Sequence, residues 1–562
     1  MQNNAVVEVD VTENAIAPMR DGTVLRSDVY TPRLAGPLPV LLCRTPYGKQ
    51  GEAFGADYAA TAVGLARRGY IVVVQDVRGR YASDGVYRWL YGPGAAQDHA
   101  DDGYDTIEWA ATLPGSTGQV GTWGNSYDGY TSLRAAGAAP PSLAAAFASG
   151  VAERLHDETF GIFKPIYLEW NHGMAADLRA RAGRPAAAAF AEEMVWTLPY
   201  SAIGGDSFAD LTVPFQQFLR EQEIDYWALH ETEPNISVPV CHLTGWWDYV
   251  CRGTVAHYTG LRERGAAALR DQHRLTIGPW SHRTGRSAAG GGAVDYGPAE
   301  YVHYHDEIAD WYDYALKDED PGLYRRGVVK IFVLNENRWR WLDSWPTDQA
   351  QDTQFFLHSR GSANTPRGDG RLSMDEPSSA AKPSLYIYNP SDPVISLSDW
   401  SSRAIDQSVH DRRQDILVYV SEPLERSLLV IGNPSCTLWV SSDAPETDFT
   451  AKLVEVRPDG LSVELATGIS RTRFMDGYGS VVRLEPGTPY QLTLDLGPVG
   501  VRFEPGSRIR LDISSSDFPN FDRNHNTGAD FWSDPELRPA RQTVYSDARL
   551  PSHLTLPVCP DD

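Results

Sequence analysis

Apolar runs of strand length alternate with amphipathic segments through the first third of the chain. Residues 39–47 (PVLLCRTPY) and 69–79 (GYIVVVQDVRG) are apolar through their centres, whereas residues 101–113 (DDGYDTIEWAATL) have apolar positions at helical spacing. Continuous apolar strands that alternate with helices are typical of a parallel sheet covered by helices on both faces. The pattern therefore predicts an α/β domain at the start of the chain.

The pattern changes near residue 149 and again near residue 345. After the first change, apolar residues recur at helical spacing without strand patterns, which predicts a helical lobe, and strand patterns return from residue 238. After the second change, short apolar runs separated by Pro, Gly and Asp turns predict a β-sandwich or jelly roll. The predicted domains are an α/β core of residues 1–148 and 238–345, an inserted helical cap of residues 149–237, and a β-domain of residues 346–562.

Composition and charge argue against several classes of protein. The chain of 562 residues is 42% apolar and 22% charged, as in folded soluble proteins, and its net charge of −24 would repel nucleic acid and anionic membranes. No apolar run approaches the ~18 residues that span a bilayer, and the N-terminus has no secretory pattern. Five cysteines without C-x-x-C spacing favour a reducing compartment. We therefore expect a cytoplasmic protein that binds neither nucleic acid nor a membrane.

The stretch GTWGNSYDGYTS at residues 121–132 contains the first chemical candidate, Ser126. This serine lies between a predicted strand and a predicted helix, with Gly124 before it and Gly129 after it. Small residues at these positions allow the close strand–helix approach of a nucleophile elbow, which presents the serine Oγ at the carboxyl edge of the sheet. Asp128 stands where the G-x-S-x-G string has its second glycine, so this stretch alone is also compatible with an ordinary turn serine.

A serine nucleophile needs an imidazole base and a carboxylate that orients the imidazole. Asp248 and His282 each follow a predicted parallel strand, and they occur in the chain order serine, acid, histidine of α/β-hydrolases. Both residues are therefore expected at the edge where open α/β sheets place their sites. Taken singly, Asp248 could cap a helix and His282 could be a surface or packed histidine, but the ordered trio favours catalysis.

Attack on a carbonyl places negative charge on its oxygen, which needs hydrogen-bond donors already aimed at that position. The backbone N–H of Tyr127, directly after the serine, is one expected donor. The second donor is expected from the loop after an early strand, which here reads RTPYGK and offers the phenolic hydroxyl of Tyr47. A core tyrosine beside a proline turn is the alternative interpretation of Tyr47.

Motifs spread over nearly the whole chain resemble one family, that of cocaine esterase, α-amino acid ester hydrolase and X-prolyl dipeptidyl peptidase. In chain order they are APMRDGTVLRSDVYTP, RTPYGK, QDVRGRYASDG, DDGYDTIEWAATLP, WGNSYDG, GWWD, GPWSH, WYDYALK, DILVYVSEPL, SSDAPETDFTAKLVEVRPDG and RIRLDISSSDFPNFDRNHNTG. The resemblance implies an α/β-hydrolase core, an inserted helical cap and a C-terminal jelly-roll domain. It also implies Ser126 as nucleophile, Asp248 as orienting acid, His282 as base, and Tyr47 with the Tyr127 amide as oxyanion hole.

Aromatic residues near these positions indicate the walls of a substrate pocket. Trp247, Tyr249 and Val250 flank the acid in the loop GWWDYVCRG. Aromatic walls suit an aryl or bulky apolar acyl group, although aromatic residues in a helical lobe are also common in the core of the lobe itself. The wall residues predicted in the cap are Phe163, Tyr167 and Trp170.

The resemblance also raises the question of which acyl groups are accepted. Relatives that take α-amino acyl groups hold the ammonium with a carboxylate cluster, for which Asp128, Glu169 and Asp306 are the candidate counterparts here. Many relatives carry a D-P-x-P-x-x-G-G loop in the third domain, whereas residues 391–402 read SDPVISLSDWSS and lack the glycine pair. We therefore expect the acyl pocket to differ from that of these relatives.

We predict a serine hydrolase that cleaves small carboxylic esters or amides through an acyl-enzyme on Ser126. No cofactor or metal is expected, because no His, Asp and Glu cluster has ligand spacing. Esters are favoured because their leaving groups need less protonation than those of peptides. Three alternatives stay open: an acyltransferase or amide-forming enzyme with the same acyl-enzyme, an X-Pro dipeptidyl peptidase, and a non-catalytic binding protein on the same fold. The resemblance also suggests a homo-oligomer, either a dimer or a tetramer.

Overall fold

The chain folds around two large β-sheets, the first within residues 9–342 and the second within residues 351–559. The computed structural model describes residues 7–51, 53–54, 57–90, 92–154, 161–205, 208–221, 224–282, 292–320, 322, 324, 326–379, 381–398, 402–478 and 480–560.

The first sheet is mostly parallel. Its strands are β1 (Val9–Pro18), β2 (Val24–Pro32), β3 (Leu38–Thr45), β4 (Ile71–Asp76), β5 (Ser116–Asn125), β6 (Leu143–Ser149), β7 (Val240–Trp247), β8 (Arg274–Ser281), β9 (Val329–Val333) and β10 (Arg338–Leu342). They follow the order β1-β2-β4-β3-β5-β6-β7-β8-β9-β10, in which β3 to β9 run parallel and β1, β2 and β10 pair antiparallel at the two ends. The carboxyl ends of β5, β7 and β8 therefore lie along one edge.

Helices cover both faces of this sheet, as the alternating pattern predicts. They are α1 (Tyr58–Arg67), α2 (Ala95–Ala111), α3 (Tyr127–Gly137), α6 (Cys251–Arg264) and α7 (Tyr304–Lys317), and in the cap α4 (Ile166–Arg181) and α5 (Thr212–Arg220). Leu65 of α1 and Tyr312 of α7 share one hydrophobic core, whereas Ile107 of α2 and Leu133 of α3 share another. A Cβ placed on Gly121 of β5 would lie 2.2 Å from the Tyr312 ring, so this strand needs glycine where α7 crosses it.

The cap lies between β6 and β7 in the chain. Besides α4 and α5 it contains 3₁₀ segments at Glu192–Trp196, Tyr200–Ala202, Ala209–Leu211 and Leu229–Asn235. Trp170 of α4 and Phe215 of α5 belong to the same hydrophobic core as Tyr127 and Tyr130 of α3. The apolar face of the cap is therefore buried directly above the turn that carries Ser126.

The last third of the described chain is all β. Its strands are β11 (Gln351–His358), β12 (Arg371–Ser373), β13 (Ser384–Tyr388), β14 (Leu417–Ser421), β15 (Leu428–Gly432), β16 (Ser435–Ser442), β17 (Asp448–Val456), β18 (Ser462–Arg471), β19 (Tyr490–Asp495), β20 (Val499–Phe503), β21 (Arg508–Ser514), β22 (Ala540–Asp547), β23 (Leu550–Pro551) and β24 (His553–Cys559). Nearly all of their pairings are antiparallel, the short β12–β14 pair being parallel. The predicted fold class is confirmed: an α/β-hydrolase core with a helical cap and a C-terminal jelly-roll domain. The predicted domain boundaries stay predictions.

The two sheets are joined by a shared hydrophobic core. Trp246 of β7 donates its indole N–H to the carbonyl of Phe332 at 2.8 Å, and a Cβ placed on Gly500 of β20 would lie 2.6 Å from the Trp246 ring. Core residues of β7 to β9 and of the jelly-roll strands form one continuous cluster around this indole. The residues that directly follow β7 therefore lie close to the junction between the core and the jelly-roll domain.

Candidate active site

Ser126 occupies a strained turn between β5 and α3. Its backbone has φ 59° and ψ −124°, a region that costs a residue other than glycine about 1–3 kcal/mol. A Cβ on Gly124 would lie 2.3 Å from the backbone of Asp128, and a Cβ on Gly129 would lie 2.4 Å from the side chain of Val151. The two glycines thus permit the close approach of strand and helix that the elbow pattern predicts.

Asp248 and His282 form a buried hydrogen-bonded pair. His282 Nδ1 lies 2.8 Å from Asp248 Oδ1, and both residues are at most 8% exposed. The carboxylate also accepts from the hydroxyl of Thr244 at 3.2 Å and from the backbone N–H of Val250 at 3.1 Å. Because a carboxylate can only accept from Nδ1–H, this pairing orients the ring and leaves Nε2 as the basic nitrogen.

Gly150, which directly follows β6, connects this pair to the serine turn. It has φ +56°, and a Cβ placed on it would lie 2.9 Å from Asp248 Oδ2 and 3.3 Å from both His282 Cε1 and Asn125 Oδ1. Asn125 directly precedes Ser126, whose backbone N–H donates to the carbonyl of the residue before Gly150 at 2.8 Å. The carboxylate, the imidazole and the turn that carries Ser126 therefore meet at one glycine.

Tyr47, in the loop after β3, presents its hydroxyl to the serine. The phenol lies beside the side chain of Ser126 and accepts from the indole N–H of Trp170 at 3.2 Å. Burial raises the pKa of Tyr47 well above its ordinary value, and the nearby carboxylate of Asp128 raises it further. The phenol therefore stays protonated at physiological pH and can act as a hydrogen-bond donor.

Tyr127 brings a second donor to the same place. It is the first residue of α3, so its N–H is one of the four that intrahelical hydrogen bonding leaves without a partner. Its side chain points away into the core, where its hydroxyl lies 2.8 Å from Nε2 of the buried His99. The amide of Tyr127 and the phenol of Tyr47 thus flank Ser126 from two elements.

A small cavity of about 30 Å³, here called the serine pocket, opens beside Ser126. Its described lining residues are Tyr47, Leu90, Ser126, Tyr127, Gly150, Ala152, Tyr167, Trp170, Trp227, Tyr249 and Val250. The structure thus brings most of the predicted residues together in this pocket. Sequence reasoning missed Leu90, Gly150, Ala152 and Trp227. Of these, Gly150 directly follows β6, whose alanine-rich sequence LAAAFAS does not have the β-branched pattern that marks the other parallel strands.

Other predicted wall residues lie elsewhere. Phe163 packs in the cap, with ring centroids 5.5 Å from Tyr200 and 6.0 Å from Phe215. Trp247 donates its indole N–H to the carbonyl of Glu464 at 3.0 Å and therefore faces the jelly-roll domain. Neither residue is among the described lining of the serine pocket.

The three candidate carboxylates for an α-amino group are separated. Asp128 is buried under the serine turn, where it accepts from the hydroxyl of Tyr58 at 2.6 Å. Asp306 is paired with Arg68 at 3.5 Å, at the opposite end of α1 from Tyr58, and Glu169 is exposed on α4. A helix of this length places its ends about 15 Å apart, so Asp128 and Asp306 do not form one cluster.

Two other features of the molecule bear on function. Across the described ranges, no three His, Cys, Asp or Glu side chains come together as a bound metal ion would need. None of the helices in the described part of the chain combines the length and the apolar character that a bilayer crossing requires. The loop of residues 391–402 is described only in part, because residues 399–401 lie outside the described residues.

Two family models match the chain in sequence. The model described as X-Pro dipeptidyl-peptidase (S15 family) matches residues 21–284, and the model described as X-Pro dipeptidyl-peptidase C-terminal non-catalytic domain matches residues 322–555. The cocaine esterase of Rhodococcus sp. (strain MB1 Bresler) is 31% identical over 584 residues, which cover 98% of both chains.

Two solved structures are similar over the full length. An aminopeptidase from the marine sediment archaeon Thaumarchaeota archaeon superposes with a TM-score of 0.85 at 23% identity, covering 100% of this chain and 98% of its own. An α-amino acid ester hydrolase superposes with a TM-score of 0.82 at 24% identity, covering 99% of this chain and 98% of its own. At such identities the two structures establish the shared fold.

Proposed function

Because the chain belongs to the family of cocaine esterase and the X-Pro dipeptidyl-peptidases (S15), we propose that it is a serine esterase of small molecules with Ser126, His282 and Asp248 as its catalytic triad. The observation that carries this assignment is that the Asp248–His282 pair lies against Gly150, while the backbone of Ser126 is hydrogen-bonded to the residue directly before this glycine. The strained backbone of Ser126 supports the nucleophile role, since strain of this kind concentrates at functional sites.

The proposed reaction gives each of these groups one role. Ser126 Oγ attacks the carbonyl carbon of the ester while His282 Nε2 takes the hydroxyl proton, and the Asp248 carboxylate stabilises the imidazolium. The Tyr47 hydroxyl and the Tyr127 N–H donate to the oxyanion. The tetrahedral intermediate then expels the alkoxide, which takes the proton from Nε2 and departs as the alcohol. Water, deprotonated by the same nitrogen, releases the acid and restores Ser126.

Esters are favoured over X-Pro peptides as substrates. A dipeptidyl peptidase has to hold the N-terminal ammonium of its substrate, which calls for carboxylates directed into the site. Asp128 is instead bound to Tyr58 beneath the turn, while Glu169 is exposed and Asp306 is paired with Arg68. An acyltransferase would use the same acyl-enzyme, and only the group that resolves this intermediate separates the two functions.

A substrate panel tests the proposal. We expect hydrolysis of p-nitrophenyl acetate, p-nitrophenyl butyrate and a neutral arylpropionate ester. The kcat/KM of the matching α-amino ester should exceed that of the neutral arylpropionate ester by no more than threefold, and X-Pro anilides should be cleaved little. Ser126→Ala should abolish the hydrolysis. Turnover of X-Pro anilides above that of all esters would instead assign a peptidase. Product masses with and without an added amine distinguish hydrolysis from acyl transfer.

Location and assembly are part of the same proposal. All five cysteines are buried and form no disulfide, and burial raises the pKa of Cys43, Cys241 and Cys436, which keeps these three thiols protonated and unreactive. Cysteines that form no disulfide are typical of a reducing compartment, which supports a cytoplasmic location. A dimer or tetramer stays a prediction. Light scattering of the purified protein measures the molar mass of the assembly directly.

A further inference from the structure

A second cavity lies next to the serine pocket, at the junction of the α/β core, the cap and the jelly-roll domain. This space, here called the interdomain cavity, has a volume of about 120 Å³. Trp247 of β7, Lys164 at the start of the cap, and Glu464, Leu465 and Phe521 of the jelly-roll domain are among its walls. Its size approaches the ~150 Å³ of a protein cavity that holds benzene, so one ring could enter it.

Tyr249 separates the two spaces. Among the described lining residues, it is the side chain common to the serine pocket and the interdomain cavity. Its ring centroid lies 4.4 Å from that of His282 and 6.5 Å from that of Tyr167. The ammonium of Lys164 lies 5.4 Å from the ring centroid of Tyr249, at a distance typical of a cation–π contact. The ring is thus held between the two spaces by groups from the cap and from the catalytic pair.

The position of His282 decides which part of the ester faces Tyr249. The leaving oxygen has to receive its proton from His282 Nε2, so the alcohol part of the ester lies on the side of this nitrogen. The hydroxyl of Tyr249 is 3.4 Å from Nε2. The acyl part remains bound to Ser126 among the other walls of the serine pocket, which include Trp170 and Trp227.

The geometry points to Tyr249 as the residue that limits the size of the alcohol group, with the interdomain cavity as the space that a larger alcohol group would fill if this ring were absent. The inference rests on the proposed esterase function and extends it to the specificity for the leaving group. Tyr249 is in this sense a specificity-determining residue, whereas the proton transfer itself belongs to His282.

Two series of esters measure this role. In the first series the acyl group is always acetyl and the alcohol is ethanol, benzyl alcohol or 2-naphthylmethanol. Hydrolysis of these esters is measured from the acid that is released at constant pH. In the second series the leaving group is always p-nitrophenol and the acyl chain grows from acetyl to octanoyl. Every ester of the first series yields the same acetyl-enzyme, so its differences in kcat/KM report the alcohol side alone.

In Tyr249→Ala we expect the ratio of kcat/KM for the benzyl and ethyl esters to rise at least about tenfold, because each additional buried methylene contributes roughly fourfold. The acyl-chain preference should stay within about threefold of the wild type. Tyr249→Phe keeps the ring and should keep the wild-type alcohol ratio. Adding Ala466→Phe, which fills the interdomain cavity, to Tyr249→Ala should return the ratio towards the wild-type value.

Ratios within one variant cancel any loss of active enzyme, so a partly unfolded Tyr249→Ala preparation still gives an answer. An unchanged alcohol ratio in Tyr249→Ala, an equal change in Tyr249→Phe, or a change confined to the acyl series would overturn the role of Tyr249. Hydrolysis that survives in Ser126→Ala would instead overturn the proposed esterase function, so the two failures are distinguishable.

Discussion

The Nδ1 atom of His282 lies 2.8 Å from Oδ1 of Asp248, although the two residues are 34 positions apart in the chain. This contact exists because β7 and β8 are parallel neighbours and end at the same edge of the sheet. Thr244 and the N–H of Val250 hold the carboxylate in turn. The imidazole is therefore oriented before any substrate arrives, which is the condition for efficient proton transfer.

Removing the charge of Asp248 should disable this orientation. In Asp248→Asn we expect kcat for p-nitrophenyl acetate to fall by about 10⁴-fold, because the amide N–H₂ favours the wrong tautomer of His282. Asp306→Asn is the matched control, since this carboxylate is half exposed and paired with Arg68; its kcat should stay within twofold. A variant at position 248 that keeps a tenth of the wild-type kcat would contradict the role of the pair.

A single methyl group at Gly150 should displace the Asp248–His282 pair from the turn that carries Ser126. The added Cβ of Gly150→Ala would stand 2.9 Å from Asp248 Oδ2 and 3.3 Å from the His282 ring, and we expect a loss of about 100-fold in kcat. Gly36→Ala also places a side chain at a positive φ, here +89°, with no heavy atom within 4 Å of the new Cβ. Steady-state kinetics should find this control unaffected. Equal kcat values in the two variants would refute the placement of the pair around Gly150.

The phenolic hydroxyl of Tyr47 should act on the transition state more than on substrate binding. Tyr47→Phe removes one oxyanion donor, so kcat should fall by about 100- to 1000-fold with little change in KM. Trp170→Phe removes the N–H that donates to Tyr47 at 3.2 Å, together with part of the indole ring, but keeps the phenol of Tyr47, so kcat should fall by no more than about tenfold. A rise in KM with an unchanged kcat in Tyr47→Phe would assign this residue to ground-state binding instead.

Two buried histidines away from the site should make the fold sensitive to acid. Nε2 of His242 and Nδ1 of His257 are 2.8 Å apart, and burial lowers the pKa of His242 to about 3 and that of His257 well below its ordinary value. In the unfolded chain both rings take up protons near pH 6.5. Their contribution to stability is therefore complete above pH 6.5 and is lost as the pH falls below that value.

Denaturant unfolding between pH 7 and pH 4 measures this contribution. We expect the free energy of unfolding of the wild type to fall with decreasing pH more steeply than that of the double variant His242→Leu/His257→Leu. The difference should be at most about 1.4 kcal/mol per pH unit for each ring. Other titrating groups are common to both proteins. If the free energy of unfolding fell equally steeply with pH in both, these rings would not stay neutral in the folded state.

The parallel strands of the first sheet were the most predictable part of the molecule. The apolar runs at residues 39–47 and 69–79 correspond to β3 (Leu38–Thr45) and β4 (Ile71–Asp76), because buried parallel strands need apolar residues on both faces. The antiparallel pairing of β1, β2 and β10 at the ends of the sheet was not predicted. β1 is exposed along most of its length, and β2 and β10 are interrupted by charged residues, so none of the three has a continuous apolar signal.

The chemistry of the candidate site was partly predictable for a related reason. Ser126, Asp248 and His282 each directly follow a parallel strand, and strand ends can be read from the chain. The pocket walls could not be read in this way, because helical spacing does not tell which face of the cap is turned towards the serine. Tyr167 lines the serine pocket, whereas Phe163, four residues earlier, packs inside the cap.

The most direct test of the central claim is covalent labelling of the folded protein with a fluorophosphonate, followed by intact-mass measurement and peptide mapping. We expect one adduct per chain on Ser126, no adduct in Ser126→Ala, and labelling slowed at least about 100-fold in His282→Ala. Labelling of another residue, or an Ser126→Ala protein that labels at the wild-type rate while ester hydrolysis continues, would contradict this claim.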